Sequence, residues 1–290
     1  YEIPKRDWSS DVCSSDLVIT TNDVLASEIA RINKRVYVLP NAINPNDSMF
    51  INRYQPATRT RIGWMGGICH REDIDMLRDS IHQIYSDDEL HGRFQFILAG
   101  FNLLQNELIK DVSGNITEIP VPFDRQEYVH FERIFSNSYN LADKEYKKWL
   151  LSKRVGHYQY ENGQEYKRMY GRSAEEYAEG YNEMDICIAP LKDNKFNKCK
   201  SQLKLIEAGF FRKSIIVSNI HPYTIDGIHG ENCLMVDEKK GHKQWAKYIK
   251  QLINDREMRE HLGNNLYYDV QKYHIEEVNK QRALIYRQLL

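Results

Sequence analysis

Short apolar runs alternate with stretches of helical spacing along most of this chain, and their order predicts its elements. Val18 to Thr21 is a β-branched run, Asp23 to Ile32 has helical spacing, and Val36 to Leu39 is a second apolar run ending in Pro40-Asn41-Ala42-Ile43. These three read as a strand-helix-strand unit. Arg61 to Met65 opens another unit, in which IGWMGG is a strand running into a glycine turn. Asp73 to Tyr85 follows as a helix with apolar positions at Ile74, Leu77, Ile81 and Ile84. Phe94 to Ala99 (FQFILA) is largely apolar, as strands covered on both faces of a parallel sheet are, and Gly100 ends it. Asp185 to Pro190 (DICIAP), Ser214 to Ser218 (SIIVS) and Cys233 to Val236 (CLMV) are further strands, and Ile116 to Val121 is a weaker one. Trp245 to Ile253 and Glu257 to the end are amphipathic helices. The alternation of strand and helix predicts an α/β protein with a doubly wound parallel sheet.

Composition adds limits rather than a function. With net charge −1, pI near 6.9 and 41% hydrophobic residues, the chain has no global bias toward polyanions and enough apolar content for one large core or two modest ones. No run approaches the ~18 apolar residues that a membrane-spanning helix needs. The tyrosine-rich, basic-looking segment from Arg125 to Tyr181 holds ten Lys/Arg against nine Asp/Glu, so it reads as helices with mixed-charge solvated faces and not as a nucleic-acid surface. Five scattered cysteines (Cys13, Cys69, Cys187, Cys199, Cys233) form no C-x-x-C pair and read as reduced thiols of a cytoplasmic protein. Residues 6–17 (RDWSSDVCSSDL) resemble the conceptual translation of a sequencing-library adapter. Residues 1–17 are therefore set aside as non-native, with the expectation that the natural protein is longer upstream.

Candidate chemistry concentrates between Asn194 and Ser218. Asn194 to Lys200 holds three lysines and two amide side chains, and a helix starting at Lys200 or Ser201 and ending near Gly209 would aim its amides and positive dipole end at an anion, favouring a diphosphate. Lys200 adds a full charge. At ~1.5 Å per residue, Glu207 lies ~9 Å beyond Ser201 along such a helix, about the gap between a pyrophosphate and ribose hydroxyls. The bland readings are a solvated lysine, a capping serine and an outward carboxylate. In the turn after the first long strand, Gly66 and Gly67 would let the main chain approach phosphates, with His70 or Arg71 facing the same cleft; the spacing is not G-x-G-x-x-G, and a plain strand-to-helix turn would also need small residues there. Phe196, Asn197, Gln202 and Tyr223 complete the candidate set. Metalloprotease, serine-hydrolase and Walker-type patterns are absent from the sequence.

The stretch FN-x-x-KS-x-LK-x-x-E, with the segments before it in order, resembles the retaining, type 4 GT-B glycosyltransferases, in a variant similar to bacterial cell-surface polysaccharide enzymes. Glu207 matches the second Glu of that family's Glu-x7-Glu motif, while Cys199 stands where the first would be. The resemblance implies a Rossmann-like GT-B donor domain over 56–265, a remnant of the N-terminal domain and hinge over 18–55, with the hinge at Pro45 to Thr60, and a C-terminal helix over 266–290. It implies transfer of a sugar from a nucleoside diphosphate to a glycan or lipid-linked acceptor, with retention and without a protein nucleophile. Lys200 and Glu207 would be catalytic, and Gly66, Gly67, His70, Arg71, Phe196, Asn197, Ser201, Gln202 and Tyr223 would hold the donor. No metal or cofactor is required on this reading. Any membrane contact would be peripheral, through the missing N-terminal portion at the inner face. The rival reading, consistent with Cys199, is a non-catalytic nucleotide- or glycan-binding module.

Overall fold

A computed structural model describes residues 17–110, 114–154 and 164–288; the adapter-like segment lies outside them except for Leu17. Its centre is a six-stranded sheet in which every neighbouring pair is parallel. Numbering all strands in chain order, β1 (Val18–Thr20) and β2 (Val36–Val38) form a separate parallel pair, and β5 (Asn106–Lys110) and β6 (Ile116–Pro120) an antiparallel one. The large sheet holds β3 (Thr60–Met65), β4 (Phe94–Phe101), β7 (Tyr166–Tyr170), β8 (Ile186–Ala189), β9 (Ser214–Ser218) and β10 (Leu234–Val236) in the order β10-β9-β8-β3-β4-β7. The chain therefore winds outward in one direction from β3 and in the other from β8, which is the doubly wound arrangement expected from the sequence.

Alternation along the strands explains why both faces are covered. Phe94, Phe96 and Leu98 of β4 join one cluster with Ile62, Trp64, Ile216 and Trp245, whereas Ile97 and Ala99 join the other with Ile215, Val217, Leu205 and Phe211. The first layer is closed by α3 (Arg78–Tyr85), α4 (Glu127–Phe135) and α8 (Gly241–Asn254). The second is closed by α7 (Leu203–Phe210) and α9 (Arg256–Asp269). The helices α1 (Asp23–Ile29), α2 (Arg71–Asp75), α5 (Asp143–Arg154) and α6 (Lys195–Lys198) are shorter or more peripheral, and α10 (Ile275–Arg287) ends the described chain. Val278 and Ile285 of α10 pack with Leu39, Ile19 and Tyr37, so the last helix covers the β1-α1-β2 unit. Ile43 is tied to the same region, its amide donating to Tyr273 O at 2.9 Å and its carbonyl accepting from Ile275 N at 2.8 Å.

Three expectations change. The predicted helix over Asp73–Tyr85 is two helices, α2 and α3, divided at Met76–Leu77. The segment from Glu127 to Tyr181 is not all helix, because Tyr166–Tyr170 forms the edge strand β7 beside β4. Glu257 onward is α9 and α10 with a 3-10 turn between, and α9 runs through position 266. Within the stretch from Pro45 to Thr60, Phe50 is buried against Phe211 and Arg53 N donates to Asn182 Oδ1 at 2.7 Å. The four described cysteines are free thiols, and Cys13 lies outside the described residues.

Helix α9 crosses close to the 212–213 backbone at Gly263, where a Cβ would lie 2.4 Å from Arg212 O. A carbonyl held beside the start of β9 has little room to retreat. Gly263→Ala should therefore lower stability by about 1–3 kcal/mol in a thermal or urea melt, and an unchanged melt would show that α9 docks less tightly than described.

Candidate active site

Strand order reverses between β3 and β8, and in open sheets a ligand crevice forms outside the carboxyl ends of the strands at such a point. A cavity of about 330 Å³ lies there. It is lined by Met65 and Gly66 after β3, Leu191 after β8, His70, Tyr177 and Tyr223, and by Lys200, Ser201, Leu203, Lys204 and Glu207 from the turn and first half of α7. A neighbouring cavity of about 400 Å³ shares Met65, Gly66 and Tyr177, and continues past Gly67 to Gly100, Tyr128 and Gly171 at the ends of β4 and β7. The two form one cleft along the carboxyl edge of β3, β4 and β7.

Asp73 organises one wall. Its Oδ2 is 2.7 Å from His70 Nδ1, and its Oδ1 accepts from Lys192 N at 2.8 Å and from Asn197 Nδ2 at 2.9 Å. Burial works to raise the Asp73 pKa, but the His70 hydrogen bond, the Lys192 amide and the Lys200 charge outweigh it and hold the carboxyl below its usual range. Because an ionised carboxylate only accepts, His70 carries its proton on Nδ1. Burial, then the charges of Lys204 and Lys200, push the His70 pKa down against the pull of Asp73, so the ring leans to its neutral form.

Two lysines face this wall. Lys200 Nζ sits 3.8 Å from Asp73 Oδ2 and 5.0 Å from the centroid of the Phe196 ring. It is a buried ammonium that makes no hydrogen bond among the described residues. Lys204 Nζ donates to Met65 O and lies 5.2 Å from the Trp64 ring centroid. Burial lowers the Lys204 pKa, with Lys200 adding to the effect and Glu207 opposing it. Glu207 is buried on the same face of α7, three residues on; its Oε1 accepts from Tyr177 OH, and its Oε2 from Tyr181 OH at 2.7 Å. Burial raises its pKa, while the two phenols and Lys204 pull the other way. Each carboxylate oxygen keeps a second acceptor direction.

Crowding accounts for only one of the two turn glycines. A Cβ on Gly66 would meet the Trp64 ring at 2.6 Å and Lys204 Nζ at 2.9 Å, whereas one on Gly67 would meet nothing within 4 Å. Gly100, at φ +99°, brings the end of β4 so close that a Cβ would lie 2.9 Å from Gly66 O, and Tyr128 OH donates to that same carbonyl at 2.7 Å.

The structure thus brings Gly66, His70, Lys200, Ser201, Glu207 and Tyr223 together, with Gly67 in the adjoining part of the cleft. It places the other candidates elsewhere. Arg71 pairs with Glu127 at 2.9 Å and lines neither cavity. Asn197 is taken up by Asp73 and Lys192 O, and Phe196 is mostly exposed apart from its contact with Lys200. Gln202 is buried with its amide donating to Asp226 Oδ2 and Tyr273 OH, each at 3.0 Å. Helix α7 also starts later than expected, at Leu203, because Asn194 caps the separate turn α6 and Lys200 N bonds to Asn197 O. Ser201 is therefore not a cap; its Oγ accepts from Asn41 Nδ2 at 2.8 Å, linking the cleft to the β1-α1-β2 unit. Glu207 then lies one turn into α7, ~6 Å from its start. Cys199 closes α6 and lines neither cavity. Lys204 and Tyr177 also line this cavity and Asp73 stands behind it, three residues absent from the candidate set. The i, i+3 spacing of Lys204 and Glu207 on an amphipathic helix was the available signal for the first.

No family profile and no curated protein sequence matches the chain. Solved structures do. Sucrose-phosphate synthase from Thermosynechococcus elongatus superposes with TM-score 0.60 at 18% identity, over 97% of this chain and 60% of that one. Anabaena HepE in complex with UDP and glucose gives 0.59 at 14% identity, over 93% and 62%. A glycosyltransferase from Rickettsia africae gives 0.61 at 11% identity, over 99% and 68%. What they share is the fold. At such low identity the likeness establishes a Rossmann-like α/β unit of the GT-B kind, and this chain spans about 60% of the length of the first two structures. Among the described residues no helix is long and apolar enough to cross a membrane, and no group of three or more His, Cys, Asp or Glu is placed to hold a metal ion.

Proposed function

We propose that the chain is the donor-binding part of a glycosyltransferase that moves a sugar from a nucleoside diphosphate to a glycan or lipid-linked acceptor with retention, in surface polysaccharide synthesis at the cytoplasmic side of the membrane. The observation that carries this reading is the pairing, in one cavity at the strand-order reversal, of an unbonded buried ammonium, Lys200, with the buried carboxylate of Glu207. The fold shared with structures that include a UDP complex and a glycosyltransferase supports it.

The diphosphate would lie over Gly66 against Lys200, Lys204 and the first turn of α7, whose dipole adds positive potential. Charge building on the leaving diphosphate is what these groups would stabilise, in front-face transfer without a protein nucleophile. Glu207, oriented by Tyr177 and Tyr181, would accept hydroxyl donors of the ribose or sugar. His70, proton on Nδ1, would present Nε2 to the donor, and the adjoining slot between Gly100, Gly171 and Tyr128 would take the base.

The test is enzymatic, on a protein that carries both halves of the GT-B unit. Nucleotide-sugar turnover should give a product with the anomeric configuration of the donor, and Lys200→Ala should lower the rate about 10²–10³-fold, as loss of a charge-stabilising donor does. Inverted product or an unaffected rate would defeat the proposed mechanism.

A further inference from the structure

A third cavity, of about 390 Å³, opens at the opposite, amino end of the sheet, and nothing in the donor site uses it. It is bounded by Thr60 at the start of β3, by Asp185 and Lys213 immediately before β8 and β9, by the linker from Asn52 to Arg59, and by the first turn of α9. Five cationic side chains line it (Arg59, Arg212, Lys213, Arg256 and Arg259) against two acidic ones, Asp185 and Glu260. Both acids already have partners: Asp185 Oδ2 is 3.2 Å from Arg61 Nε, and Glu260 Oε1 is 2.7 Å from Arg256 Nε. A surplus of positive charge therefore faces the cavity. The amino end of α9, a helix of 14 residues, adds its dipole to that surplus.

Lys213 is the decisive group. The residue is 5% exposed, and among the described residues its ammonium makes no hydrogen bond or ion pair; its contact is with the Tyr54 ring, 3.7 Å from Nζ to the centroid. With the stem packed away and the ammonium reaching the cavity, an entering anion meets a charged donor that no protein acceptor holds. Burial pushes its pKa down to about 8, against the pull of Asp185, so an anion beside it would be met by a group ready to take up full charge. Arg212 and Arg256, both exposed, stand at the rim.

We infer that this amino-end cavity is an oxyanion site that takes the phosphate group of a small phosphorylated metabolite, with Lys213 at its floor and Arg212 and Arg256 at its mouth. The inference does not depend on the donor reading, because the two cavities share no lining residue.

The whole chain, in a phosphate-free buffer, is titrated with inorganic phosphate and separately with glycerol 3-phosphate, following heat of binding and melting temperature. Saturable binding of both is expected, with Lys213→Met weakening it at least tenfold and Lys204→Ala leaving it unchanged. If Lys213→Met fails to fold, the exposed pair Arg212→Ala with Arg256→Ala should weaken binding about tenfold with an unaltered circular dichroism spectrum. Absence of binding, binding indifferent to the Lys213 and rim variants, or binding lost in Lys204→Ala would overturn the proposal, the last by moving the anion to the donor cleft. Binding of the free ion with rejection of the ester would overturn the assignment to a metabolite.

Discussion

Lys204→Ala should cut the affinity for a nucleoside diphosphate about 10- to 100-fold while shifting thermal stability little. The ammonium borders the cavity beside Lys200 and donates to the carbonyl of Met65. A hydrogen bond between charged partners contributes about 1.5–3 kcal/mol, and every 1.4 kcal/mol is a factor of about ten in affinity. For folding the balance differs. Burial lowers the Lys204 pKa, the mark of a cation held at a desolvation cost, so its loss offsets the loss of the Met65 contact and the net change should stay within about 1 kcal/mol. Isothermal titration and a melt on the same sample separate the two effects. Equal loss of binding and stability would make Lys204 a structural residue, and unchanged affinity would remove it from the site.

Glu132→Ala should have the reverse profile, a large loss of stability. Glu132 and Arg168 have side-chain exposures of 0% and 1%, and Arg168 Nε donates to Glu132 Oε1 at 2.6 Å. Tyr166 OH donates to the same oxygen at 2.7 Å, and Tyr146 OH to Oε2 at 2.8 Å. One carboxylate thus ties α4 and α5 to the edge strand β7. Its removal takes the shared acceptor away from a buried guanidinium and two phenols, which costs about 3–5 kcal/mol, or roughly 10 °C in melting temperature for a chain of this size. The double substitution Glu132→Met with Arg168→Met should recover part of that loss, because a well-packed apolar pair carries no desolvation cost. A single-mutant melt within 2 °C of the parent would show that the network contributes little.

The same cluster shows why β7 escaped the sequence reading. Tyr166-Lys167-Arg168-Met169 reads as a charged surface segment, yet all four are buried, since Lys167 finds Glu183 at 3.0 Å and Arg168 finds Glu132. Partners 16 and 36 residues away in the chain are invisible to periodicity. By contrast, β4, β8 and β9 were legible because apolar side chains cover them on both faces and the pattern is local. In the cleft, residues fixed by the strand-order reversal and by α7 were legible: Gly66, Lys200 and Glu207 fall together. Those whose direction depends on one distant partner were not. Arg71 turns to Glu127, and Gln202 turns to Asp226 and Tyr273, contacts that no spacing rule reports. The start of α7 was misplaced because Asn194 caps a separate short turn before it, and sequence alone merges the two.

The most direct measurement is calorimetric titration of the purified chain and of Glu207→Ala with UDP, GDP, ADP and their sugars. At least one nucleoside diphosphate should bind the parent and, at ~100 times its dissociation constant, add ~2.7 kcal/mol of stability, with affinity clearly reduced in the variant. No heat and no stabilisation across the panel, or equal affinity in both proteins, would contradict the claim that Lys200 and Glu207 face one nucleotide.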